Sequence, residues 1–110
     1  MPTEIRRIIF TDSEIQSVLD DFTDRDRGPI PRGRVIGYEV VKDKPLEVSA
    51  RIQSEDGRQG SYRLNEAFLV AALLSFLIAR KVPVPRQANK SVKRSDKGVV
   101  FDLVTESWKL

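Results

Sequence analysis

Gly28-Pro29-Ile30-Pro31-Arg32-Gly33-Arg34-Val35 has the glycine spacing of a phosphate-binding loop. Such a loop needs backbone N–H groups to cradle phosphate, a lysine for the terminal phosphates and a hydroxyl for magnesium. Here Arg34 replaces the lysine, Val35 replaces the hydroxyl and two prolines delete donors. The residues that follow read as a strand, where the motif requires a helix. A structured turn is the better reading. Asp20, Asp21, Asp24 and Asp26 raise the question of a calcium loop. Pro29 occupies the glycine position of that motif, and Val35 stands where the twelfth-position carboxylate belongs. These aspartates read instead as a solvated helix end. Asn89-Lys90-Ser91 has the form of a glycosylation acceptor, which carries no meaning without a secretory leader.

Histidine and cysteine are both absent. Their absence removes imidazole triads, thiolate nucleophiles, disulfides and the preferred ligands of structural zinc. Paired carboxylates, lysine and tyrosine remain open for acid–base work, because such sites are set by space and not by spacing. No residue is nominated for that role, and no metal or cofactor is implied. Enzyme activity is therefore not the favoured reading.

Charge offers a second kind of site. The net charge of +3 is unevenly spread. Residues 1–24 carry two basic and six acidic side chains, a net of −4. Residues 25–34 carry four arginines against Asp26, and residues 80–97 carry seven cations against Asp96. If the two basic segments converge, Arg27, Arg32, Arg34, Arg86, Lys90, Lys93 and Arg94 are the residues to contact an anionic partner such as nucleic acid. The competing reading is a set of solvated loops that keep the protein in solution. No aromatic residue lies between Phe76 and Phe101 to serve as a stacking platform.

The elements that must position these residues are organised around Ala67–Ala79, where every residue except Ser75 is apolar. Asn65 is a natural N-cap, Glu66 suits the positive end of the helix dipole, and Arg80 and Lys81 suit the negative end. Pro83 forbids continuation. The resulting helix is apolar on all sides and needs cover all round. Its apolar run spans 13 positions, short of the roughly 20 that cross a bilayer. With no hydrophobic leader segment after Met1, the expectation is a cytoplasmic protein without a membrane span.

Ile5–Phe10 reads as a first strand. Thr11-Asp12-Ser13-Glu14 has the form of a capping box, followed by Ile15, Val18, Leu19 and Phe22 at helical spacing. Residues 34–41 form a second strand, with Ile36, Tyr38 and Val40 expected on one side. Leu46–Gln53 alternates strictly between apolar and polar residues, and Ser61–Leu64 returns beside it. Ser91–Arg94 and Val99–Val104 read as a hairpin whose turn uses Gly98. Phe101 is expected in the core. Trp108 is expected either to pack back or to join a contact surface.

The sequence thus predicts a single α+β domain over residues 1–110, in the order β-α-β-β-β-α-β-β. Its expected form is one antiparallel sheet of five or six strands packed on two helices. The favoured function is a small non-catalytic, bacterial-type binding or protein-interaction domain, whose apolar helix 66–80 either simply fills the core under the sheet or meets a second copy in a homodimer. Phe68, Ala72, Ser75 and Ala79, at i, i+4, i+7 and i+11, are its expected contact residues. The alternatives are nucleic-acid binding through residues 25–34 and 80–97, and a small-molecule binder or enzyme that works without histidine or cysteine.

Overall fold

A computed structural model describes residues 3–26, 33–85 and 87–106. Strands β1 (Thr3–Thr11), β2 (Arg34–Asp43), β3 (Leu46–Gln53), β4 (Gln59–Leu64), β5 (Asn89–Ser95) and β6 (Gly98–Glu106) are joined by helices α1 (Asp12–Asp26) and α2 (Glu66–Ala79). The element order is the one the sequence predicts.

The sheet is not single. The strands divide into a terminal sheet ordered β1-β6-β5 and a central sheet ordered β2-β3-β4, both antiparallel. The physical reason lies at β2. This edge strand carries register irregularities between Val35 and Gly37 and between Val40 and Lys42. Such bulges bend a strand and end pairing at its edge. Helix α1 also occupies the start of β2. The Val35 backbone N–H donates to Asp20 Oδ1 at 3.0 Å, and Gln16 Nε2 donates to the Val35 carbonyl at 3.2 Å. With both backbone groups of Val35 taken, the strand does not extend into the other sheet there. Strand β5 lies beside the central sheet, and near the β2–β3 turn Arg94 lies 3.9 Å from Asp43.

The first irregularity also moves the alternation of β2 by one place. Val35, opposite Ile52, is buried, while Ile36 is half-exposed and the inward face resumes at Tyr38 opposite Ala50. The expected Ile36-Tyr38-Val40 stripe is therefore Val35-Tyr38-Val40.

Local signals set both helices. Thr11 and Glu14 close the capping box reciprocally: the Thr11 N–H donates to Glu14 Oε1 at 2.9 Å, and the Glu14 N–H donates to Thr11 Oγ1 at 3.3 Å. Asn65 caps α2 by accepting the Phe68 N–H at 2.9 Å. At its C-terminus the Val82 N–H bonds the Leu77 carbonyl and the Lys81 N–H bonds the Ile78 carbonyl, which is a Schellman arrangement.

The core lies between the helices and the inner faces of both sheets. Ile15, Val18, Leu19 and Phe22 of α1 are buried as one stripe. Leu46, Val48, Ala50 and Ile52 of β3 and Phe101 and Leu103 of β6 are buried with them. Aromatic edges lock α2 in place: Phe68 meets Phe22 at 5.0 Å and Phe76 meets Phe10 at 6.3 Å between ring centroids, both near-perpendicular. Among the described residues, no helix is long and apolar enough to cross a membrane.

Candidate functional site

Three places hold the residues to which the sequence points: the basic side chains, three open clefts, and the outer side of α2.

The described cations are spread over several places, with Lys93 and Arg94 bordering one cleft together with Lys44. Lys93 and Arg94 are consecutive in β5, so the pleat sends them to opposite faces. Lys93 lies on the outer face of the terminal sheet, 3.5 Å from Asp102. Arg94 turns toward Asp43. The Lys90 ammonium donates to the Ala88 carbonyl at 3.0 Å. Arg34 belongs to the other sheet, where it lines a cleft with Arg80, Asp20 and Asp21. Arg27, Arg32 and Arg86 lie outside the described residues, as do Trp108 and most of the phosphate-loop stretch. Gly33 stands directly before β2, so a strand does follow that stretch. Asp20, Asp21, Asp24 and Asp26 all fall within α1 and form no calcium loop.

The clefts are mixed in charge. The largest of these three, about 800 Å³, sets Lys44, Lys93 and Arg94 against Asp43, Glu66 and Asp96. A phosphate site would concentrate cations, and this cleft balances them. A second, about 700 Å³, holds the Tyr38 hydroxyl, which donates to the Asp12 carboxylate. Burial, reinforced by that hydrogen bond and by the Asp12 charge, pushes the Tyr38 phenol above its ordinary range. It stays protonated at neutral pH and is no base there.

The other displaced groups also move away from neutrality. The Arg7 guanidinium holds the Asp102 carboxyl below the usual carboxylate range, through bonds of 2.8 and 3.3 Å. Asp102 in turn raises Arg7. The Thr11 N–H and hydroxyl lower Glu14, and the Ser54 hydroxyl and Arg58 N–H lower Asp56. An acid–base catalyst needs a group brought toward the working pH. Among the described residues every resolved shift runs the other way. Nor do those residues contain a group of three or more carboxylates placed to share a metal ion.

The outer side of α2 has a different character. Leu69, Ala72, Leu73 and Leu77 turn into the core. Ala67, Ala71 and Ile78 are exposed, Ile78 to 66%, and Leu74 between them is half-exposed, packed in part against the core. These four fall at i, i+4, i+7 and i+11, which is one helical face. The expected contact set, Phe68, Ala72, Ser75 and Ala79, has the same spacing one residue later. Ala72 is buried in the chain's own core, Phe68 is half-buried against Phe22, Ser75 is half-exposed, and only Ala79 is exposed. The outward apolar stripe is thus Ala67-Ala71-Leu74-Ile78, one residue before the expected set. Hydropathy carried no phase to find it, since both stripes are made of apolar or small residues.

Compared with protein-family models, with curated proteins and with solved structures, the chain matches none.

Proposed function

We propose that the chain is a non-catalytic protein-interaction domain whose contact is made by the uncovered apolar side of α2. One observation carries the reading. Ile78 is 66% exposed on a helix whose outer face, Ala67-Ala71-Leu74-Ile78, bears no charged side chain. A surface helix ordinarily places charged and polar residues on its wet side. An apolar ridge left open is the mark of a contact surface. Burying an isoleucine side chain is worth about 1.5–3 kcal/mol, and most of that remains ungained at Ile78. The chemistry of the described residues supports the same reading. Their clefts balance charge, and their perturbed groups are not poised for proton transfer near neutral pH. Nucleic-acid binding has less support, because Lys93 and Arg94 each lie beside a carboxylate.

The test uses the cysteine-free chain. Ile78→Cys places a single thiol on the ridge, and Ser61→Cys places one at an exposed position of the central sheet. In cells producing the full chain at low level, a permeant maleimide is expected to label position 78 several-fold more slowly than position 61. Equal rates would mean that nothing covers α2, and the reading would fall.

A further inference from the structure

The geometry points to a second copy of this chain as the occupant of the α2 ridge, lying antiparallel across a two-fold axis. This rests on the docking reading above and goes beyond it by naming the partner and its register.

Size complementarity is the first argument. The ridge has a small half, Ala67 and Ala71, and a large half, Leu74 and Ile78. Antiparallel pairing sets Ile78 against the second copy's Ala67, and Leu74 against its Ala71, twice over by symmetry. Each large side chain then meets a small one, as close-packed helices require. Parallel pairing would stack Ile78 on Ile78 and leave the alanines facing a gap.

Charge is the second argument. Glu66 opens the helix at the border of the Lys44–Lys93–Arg94 cleft, and Arg80, at the border of the Asp20–Asp21 cleft, and Lys81 close it. Arg80 is held over the Phe76 ring at 4.5 Å. Lys81 is exposed, and among the described residues it has no carboxylate within ion-pair distance. Antiparallel pairing brings the acidic start of one helix beside the basic end of the other and opposes the two helix dipoles favourably. Parallel pairing would put like ends together.

Lys81 adds a third observation. It sits at φ 61°, the left-handed position that ends the helix and that glycine normally fills. A lysine there costs about 1–2 kcal/mol. Its ammonium suits the negative end of its own helix and is placed to meet a carboxylate from the second copy.

The other apolar surface is less suited to self-association. On the outer face of the terminal sheet, Ile5 and Ile9 are exposed, but the Arg7–Asp102–Lys93 group lies between them. Covering that face would desolvate an ion cluster. The α2 ridge presents no such charge.

A helix of 14 residues is about 21 Å long. A contact of that length buries less than the roughly 800 Å² per partner of a standard interface, so affinity in the micromolar range is expected.

Sedimentation velocity of the full chain between about 1 and 200 μM tests the inference. The wild-type mass should rise from 12.5 kDa toward twice that value. Ile78→Glu and Ala71→Glu, both at exposed positions, should stay monomeric with unchanged circular dichroism. Ile9→Glu, on the other surface, should associate like the wild type. Glu66→Lys should weaken association about three- to tenfold, and Glu66→Lys with Lys81→Glu should restore it. Failure of the double exchange to restore would overturn the antiparallel register. Loss of association in Ile9→Glu with retention in Ile78→Glu would overturn the surface. A wild type monomeric at about 200 μM would overturn the second copy as partner. If position 78 were nevertheless shielded in cells, the docking reading would stand with a different protein on the ridge.

Discussion

Asp20 on α1 accepts a hydrogen bond from the backbone N–H of Val35 at 3.0 Å, and this contact ties the first helix to the edge of the central sheet. Val35 is buried, so its N–H has no water to fall back on. Asp20→Ala should cost about 1–3 kcal/mol, the penalty for an unsatisfied buried donor. Asp20→Asn keeps an acceptor and should lose less than half of that. Urea unfolding of both variants checks the contact, and equal losses would remove it as the cause.

Asp102 stands on an otherwise open sheet face with its side chain only 12% exposed, held by Arg7 and Lys93. Its carboxyl titrates below the ordinary carboxylate value of about 3.9. A lowered folded-state value means stability that is complete above the unfolded value and lost as pH falls through the folded one. Asp102→Asn should therefore melt several degrees below the wild type at pH 7. The gap should narrow as pH drops through about 4 and close further into acid. A gap independent of pH would show that shape, not charge, accounts for the difference.

Gly98 and Gly57 both hold positive φ, 149° and 86°, in different surroundings. A Cβ on Gly98 would come within 2.2 Å of the Phe10 carbonyl oxygen, whereas one on Gly57 would meet open space. Gly57→Ala should cost about 1–2 kcal/mol, the price of a left-handed backbone alone. Gly98→Ala adds a clash with the end of β1 and should cost clearly more. The order of their denaturation midpoints checks this, and equal midpoints would contradict it.

Lys81→Gly separates two effects that a plain deletion of charge would merge. Relief of the left-handed lysine should raise thermal stability of the monomer by up to about 1 kcal/mol. Loss of the ammonium should at the same time weaken self-association. Melting at micromolar dilution and sedimentation at high concentration read the two separately. A variant both more stable and equally associating would remove Lys81 from the contact.

These outcomes show where the sequence was informative. The capping box at Thr11 and Glu14, the Asn65 cap and the alternation of β3 are local patterns, and each appears in the structure where the residues predicted it. The division into two sheets was not legible, because it depends on irregularities in β2 and on Gln16 and Asp20 reaching a strand fifteen or more residues away. Which side of α2 lies outward was not legible for another reason. A helix with apolar residues on nearly every side has no hydrophobic face to read, and which side turns inward depends on partners from other elements, Phe22 and Phe10 among them. The split of Lys93 from Arg94 was within reach, since consecutive residues of any strand point apart. Net charge per segment conceals that alternation.

The central claim is that something covers Ile78 in the working protein. A photo-crosslinking amino acid placed at position 78 of the full chain, with position 61 as control, measures this most directly. The account predicts an adduct at 78 and none at 61, with a mass equal to two chains if the partner is a second copy. No adduct at 78, or equal yields at both positions, would contradict it.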